Sequence, residues 1–146
     1  MILLSSYGEP CLGLEGHNIS QNMISGTIPS WVFALPGIQY IDLGYNKFNG
    51  HINEFQSPSL EIIDLRNNNL QGNVPSSTFE LVNLTHLILS SNNFCGTILR
   101  TTNFSKSLIV LDLKKNNFSG SVPDTFARGN KFNSINLNDK DRKSVV

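Results

Sequence analysis

Three carboxylates recur in one local setting. Asp42 lies within Ile41-Asp42-Leu43, Asp64 within Ile63-Asp64-Leu65, and Asp112 within Leu111-Asp112-Leu113. Carboxylates repeated in register are the raw material of general acid and base catalysis. The residues that would complete such a site are missing. The three histidines, His17, His51 and His86, fall in unrelated registers, so they build neither a zinc site nor a proton relay. Cys11 and Cys95 lie far apart, with no Cys-x-x-Cys or Cys/His spacing, and read as free thiols, or as paired with something outside this chain, rather than as a mutual disulfide. No nucleophile motif and no Gly-rich phosphate loop is present. The aspartates therefore read as polar strand residues, and the expectation is a protein that is not an enzyme and uses no cofactor or metal.

Composition narrows the remaining classes. The chain has 146 residues, 39% of them hydrophobic, enough for a core and against global disorder. Lys and Arg number 11 and Asp and Glu 11, without a basic face, which argues against nucleic acid or an anionic membrane as partner. No run of about 20 apolar residues spans a bilayer. The opening MILLSSYGEP lacks the basic and apolar regions of a signal peptide. Asparagine is the outlier, at 19 residues. It disfavours helix and strand interiors and serves turns instead, so many bent backbone positions are to be held by side-chain amides.

A repeat supplies those positions. Asn22, Asn46, Asn68, Asn92 and Asn116 are spaced by 24, 22, 24 and 24 residues. An apolar residue follows two positions later (Ile24, Phe48, Leu70, Phe94, Phe118) and a glycine four later (Gly26, Gly50, Gly72, Gly96, Gly120). Six positions after each asparagine stands Ile or Val, followed by Pro29, Pro75 and Pro123 in three copies and by Asn53 and Leu99 in the others. Upstream, the pairs Ile41/Leu43, Ile63/Leu65, Leu87/Leu89 and Leu111/Leu113 alternate with period two, the signature of one short strand per copy. A single coil of this kind leaves its apolar edge in water, whereas stacked coils share one core and one parallel sheet.

Read together, L-x-x-L-x-L-x-x-N-x-L-x-G-x-I-P resembles the leucine-rich repeat, and the G-x-I-P ending resembles its plant extracellular class. The fold expected is an α/β-type solenoid with short parallel strands on a concave face and irregular or 3-10 returns on the convex side. Residues 17–137 form the array, five repeats and a partial sixth that begins at Ile135 and Leu137. Residues 1–16 match poorly, and the tail 138–146 diverges, with Lys140 where a ladder asparagine should stand. In the first repeat His17 takes a core leucine position. Both ends lack a recognisable cap, as in an interior piece of a longer array.

The strand's alternate positions line the concave face as columns. The first holds Tyr40, Ile62, His86 and Val110, and the second Asp42, Asp64, Ile88 and Asp112. The third holds Gly44, Arg66, Ser90 and Lys114, and the fourth Tyr45, Asn67, Ser91 and Lys115. Tyr and Arg are frequent interface anchors, and the candidate ligand-binding set is Tyr40, Asp42, Tyr45, Arg66, Asn67, His86, Lys114 and Lys115. Four glycosylation sequons start at Asn18, Asn83, Asn103 and Asn117. The last three avoid the central columns, whereas the register of Asn18 puts it on the binding face.

Residues 26–94, from GTIPSWVFALPG to LILSSNNF, together with SLIVLDLKKNNFSGSVPDTF, are similar to the ectodomain of plant receptor-like proteins of the disease-resistance type. That resemblance implies a glycosylated, extracellular horseshoe. It also implies a membrane span outside this chain, a peptide or protein ligand on the concave face, and a co-receptor kinase that carries a defence or developmental signal. Two alternatives stand beside it. One is a soluble inhibitor of wall enzymes built on the same repeat, and the other is an inert truncated product.

Overall fold

The computed structural model describes residues 16–97, 105–120 and 134–136. In chain order its first elements are β1 (Gly16–Asn18), β2 (Ser25–Thr27), α1 (Ser30–Phe33), β3 (Tyr40–Asp42), β4 (Lys47–Gly50) and β5 (Ile62–Asp64). There follow β6 (Asn69–Asn73), α2 (Ser76–Phe79), β7 (His86–Ile88), β8 (Asn93–Thr97), β9 (Val110–Asp112), β10 (Asn117–Ser119) and β11 (Ser134–Asn136). The odd-numbered strands make one parallel sheet in the order β1-β3-β5-β7-β9-β11.

Its register is the one the repeat demands. Ile41, Ile63, Leu87 and Leu111 lie side by side, and so do Tyr40, Ile62, His86 and Val110 on the alternate positions. The inward set is almost wholly buried, with Leu43, Leu65, Leu89 and Leu113 behind it. Each such side chain contributes about 1.5–3 kcal/mol by leaving water. The expected sixth strand is present as β11, where Ile135 pairs with Leu111. At the other end His17 stands in register with Ile41.

A second parallel sheet, β10-β8-β6-β4-β2, was not foreseen. The stretch after each ladder asparagine reads as a turn because it is short and rich in Asn and Gly. Yet it alternates: Phe48, Leu70 and Phe94 are buried while their neighbours on either side are exposed. Its register is stepped, so that Gly26 faces Phe48, Gly50 faces Leu70, Gly72 faces Phe94 and Gly96 faces Phe118. The glycine is also close to the preceding coil. At Gly72 φ is +83°, and an added Cβ would come within 2.2 Å of His51 Cδ2. Positive φ and a crowding neighbour together call for glycine there.

The returns are mostly irregular and carry two short helical turns. Among the described residues, where proline follows the Ile or Val the chain enters a single turn of helix, α1 after Pro29 and α2 after Pro75. Proline fixes φ at −61° and −57° at these two entries, ready for a helical turn. The coil with Asn53 in place of proline has no helix, and its asparagine spacing is 22 rather than 24 residues. Successive returns are tied by Gln56 N–H to Phe33 O at 2.9 Å and Ser105 N–H to Phe79 O at 2.8 Å. Phe33 and Phe55 meet edge to face at 5.2 Å. The buried Ser57 hydroxyl donates to Ile38 O at 3.0 Å, and that of Ser105 to Leu84 O at 3.4 Å, so the return side has its own polar ties.

Cys95 is a free, exposed thiol on β8. Cys11, Asn103, Leu137, Lys140, residues 1–15 and the tail 138–146 lie outside the described residues.

Candidate functional site

The outward face of the six-stranded sheet carries the candidate residues, and the asparagine ladder beneath holds it in line. Asn68 donates from Nδ2 to Leu43 O of the preceding coil at 3.0 Å, and to Leu65 O and Arg66 O of its own turn at 3.1 and 3.3 Å. Its Oδ1 accepts the N–H of Phe48 at 2.9 Å. Asn46, Asn92 and Asn116 repeat the scheme, accepting from Ile24, Leu70 and Phe94 at 3.1, 3.0 and 2.9 Å. Among the described residues Asn22, which is exposed, donates at 3.0 Å to Ile19 O and Ser20 O of its own turn. A buried amide with all its partners satisfied is worth far more than one facing water.

The aspartate column has structural duties that its spacing hid. Asp42 Oδ1 accepts the N–H of Gly44 at 3.1 Å, Asp64 Oδ1 that of Arg66 at 3.1 Å, and Asp112 Oδ1 that of Lys114 at 3.3 Å. Each carboxylate thus caps the turn leaving its own strand, as Asp does in an Asx turn. In the fourth column the backbone turns left-handed. Gln21, Tyr45, Asn67, Ser91 and Lys115 all have φ between +53° and +59°. Asparagine tolerates that region, whereas Tyr, Ser and Lys enter it at a cost. Tyr45 and Lys115 emerge exposed, and Asn67 is half-buried.

Arg66 clamps the buried Asp64: Nε lies 3.0 Å from Oδ1 and 2.8 Å from Oδ2, and a terminal guanidinium nitrogen also contacts Oδ2. The guanidinium sits over the Tyr45 ring, 6.0 Å from its centroid. Hydrogen bonding to Asp64 holds the Arg66 pKa well above the usual arginine range. Lys114 makes a looser pair with Asp112 at 3.8 Å and stays exposed. Tyr40, exposed, donates its hydroxyl to Glu61 Oε2 at 3.2 Å. Glu61, one residue before β5, was absent from the sequence-derived columns, since only its contact with Tyr40 marks it as part of the face. His86 is half-buried with Nδ1 2.9 Å from Thr85 Oγ1.

Asn83 is exposed in a turn after α2, its amide donating to Pro58 O at 2.9 Å, and Asn117 is exposed on β10 of the second sheet. Asn18 stands on β1 of the first sheet, in register with Asp42. Among the described residues no three His, Cys, Asp or Glu side chains converge to hold a metal ion, and no helix is long and apolar enough to cross a membrane.

The family model described as Leucine Rich Repeat matches residues 59–81, 83–103 and 107–129. Over those residues the chain carries the leucine-rich repeat, and its fold is a leucine-rich repeat solenoid. Among curated proteins this leucine-rich repeat chain is similar to Receptor-like protein 47 of Arabidopsis thaliana, 34% identical over 96 residues that cover 60% of the chain and 11% of that protein. It is likewise similar to Receptor-like protein 43 of the same plant, 40% identical over 66 residues covering 45% and 9%. The chain spans about a tenth of the length of the curated relatives it matches.

Solved leucine-rich repeat structures of plant receptors share the fold. The plant peptide hormone receptor RGFR1 in complex with RGF2 superposes with a TM-score of 0.81 at 29% identity, over 86% of this chain and 20% of that one. Pollen Receptor Kinase 3 gives 0.75 at 32% identity over 83% and 59%. The Arabidopsis receptor kinase HAESA, in complex with the peptide hormone IDA and the co-receptor SERK1, gives 0.70 at 32% identity over 80% and 20%.

Proposed function

We propose that this chain is the recognition segment of a plant cell-surface receptor-like protein, binding a peptide or protein ligand on the outward face of its six-stranded sheet. It acts outside the cell and without chemistry of its own. A co-receptor kinase, joined in the parent receptor, passes on a defence or developmental signal. The membrane enters only through a span of the parent protein.

The observation that supports this most is the column register. Tyr40 and His86 stand in one column with Ile62 between them, and Lys114 and Lys115 follow the strand of the next coil, over a core with almost no solvent access. A rigid wall presenting aromatic, cationic and hydrogen-bonding groups in rows suits an extended ligand, because little conformational entropy is lost on the receptor side. RGFR1 and HAESA, whose structures hold the peptide hormones RGF2 and IDA, share this architecture. Glycans on Asn83 and Asn117 would leave the face open, since one lies in a turn and the other on the second sheet.

The test is made in the parent receptor with Tyr40→Ala, Lys114→Ala and Lys115→Ala. Arg66 is a poor choice, because its loss strands the buried Asp64 and perturbs the fold. Reduced ligand response at unchanged receptor abundance is expected from at least one of the three. Full response from all three rejects this face as the binding surface.

A further inference from the structure

We infer that the Asp42 carboxylate, two residues after Tyr40 on the same strand, is the receiving point for a basic side chain, arginine or lysine, of the bound peptide. The inference rests on the reading of the outward face as a peptide-binding surface and names the ligand chemistry at one position on it.

The chain contains its own template for such a grip. One coil along, the Asp64 carboxylate and the Tyr45 ring together hold the Arg66 guanidinium. In the last described aspartate coil, Asp112 has Lys114 at the same offset of two residues. Asp42 occupies the same column, in register with Asp64, and caps its own turn in the same way. The residue two positions on is Gly44, which brings no cation. Among the described residues no basic side chain pairs with Asp42.

Geometry explains why the chain does not complete this pair itself. A Cβ on Gly44 would start 3.3 Å from Asp42 Oδ1, 3.3 Å from Arg66 Cγ and 3.4 Å from Asp64 Oδ1. The stem of Arg66 fills that space, and its charge is spent on Asp64. What remains is a half-buried carboxylate whose first oxygen is anchored on Gly44 N–H. Tyr40 stands two residues earlier on the same strand face, its hydroxyl fixed by Glu61. Asp42, Glu61 and Asp64 against Arg66 leave this end of the face acidic, while Lys114 and Lys115 make the other end basic. Charge complementarity therefore selects a cation at the Asp42 end, and the exposed ring adds a cation–π surface for it.

The test uses the 146-residue chain and a displayed library of random twelve-residue peptides, with binders kept only if they lose affinity for a Lys114→Ala/Lys115→Ala variant. Kept peptides are expected to share an arginine or lysine at a fixed position. Replacing it with uncharged citrulline or norleucine should weaken binding to the wild-type chain about tenfold, and less so at high salt. The same replacement should change affinity for Asp42→Asn less than about twofold. Asparagine keeps the acceptor for Gly44 N–H, so matching far-UV spectra confirm an intact fold. Face-binding peptides without a shared basic residue, or an equal loss on both chains, overturn the Asp42 assignment and leave the face reading standing. A library that yields no peptide sensitive to the lysine changes overturns both.

Discussion

The amide oxygen of Asn68 accepts the backbone N–H of Phe48 at 2.9 Å, across the boundary between two coils. The same side chain donates back to Leu43 of that earlier coil and to Leu65 of its own. One asparagine thus fixes the end of a first-sheet strand, the start of a second-sheet strand and the spacing between coils.

Replacing Asn68 with alanine should therefore cost about 2–4 kcal/mol, because several buried backbone groups lose partners together. Asn22→Ala should cost less than about 1 kcal/mol, since that amide is exposed and, among the described residues, bonds within its own turn. Denaturant unfolding of the two variants checks the contrast. Equal losses would mean that the ties between coils contribute little.

Gly72→Ala should destabilise by about 1–3 kcal/mol, from a left-handed backbone and from the His51 ring lying where the new methyl must go. Only the second part is removable. In a His51→Ala background the penalty should shrink to the backbone part, about 1 kcal/mol. An unchanged penalty there would show that the ring moves aside freely.

Arg66→Ala strands a carboxylate whose side chain is 10% exposed, while the arginine itself is 36% exposed. Solvent reaches the cation, so the cost should be about 1–2 kcal/mol rather than that of a fully buried pair. The pKa of Arg66 is raised in the fold, so its stabilisation is complete below the ordinary arginine pKa and is lost only as pH rises through the folded value. Stability measured between neutral and moderately alkaline pH should show no loss from this residue. The double variant Asp64→Asn/Arg66→Ala should lose less than the two single changes added together.

Ser91 sits at φ +57° in the turn before Asn92, a position that its neighbour coil fills with Asn67 at φ +53°. Ser91→Asn should raise stability by about 0.5 kcal/mol, because asparagine enters the left-handed region more readily. A fall in melting temperature would contradict this.

The period of the repeat carried the main sheet. Once Ile41/Leu43 and their counterparts are aligned on Asn46, Asn68, Asn92 and Asn116, the register and the outward columns follow. The second sheet was hidden because Asn69-Leu70-Gln71-Gly72-Asn73 has turn-forming composition, and its strand character comes from Phe48 and Phe94 packing on either side of Leu70. The helices at Ser30 and Ser76 escaped notice for a related reason: four residues carry no periodicity, and only the preceding proline marks them. In the candidate site, column membership was legible, but partnership was not. Nothing in the spacing shows that Asp64 is paired with Arg66 while Asp42 has no basic partner among the described residues, since that depends on a glycine at 44 and on which rotamer Arg66 adopts above it.

Each ladder asparagine ties its coil to the one before, and amide hydrogen exchange on the Asn68→Ala variant probes that tie at single residues. Phe48 N–H, one coil back, should lose protection selectively. Phe94 N–H, held by Asn116 at 2.9 Å, should remain protected. Phe48 protected as in the wild-type chain, or Phe48 and Phe94 exposed alike, would contradict it.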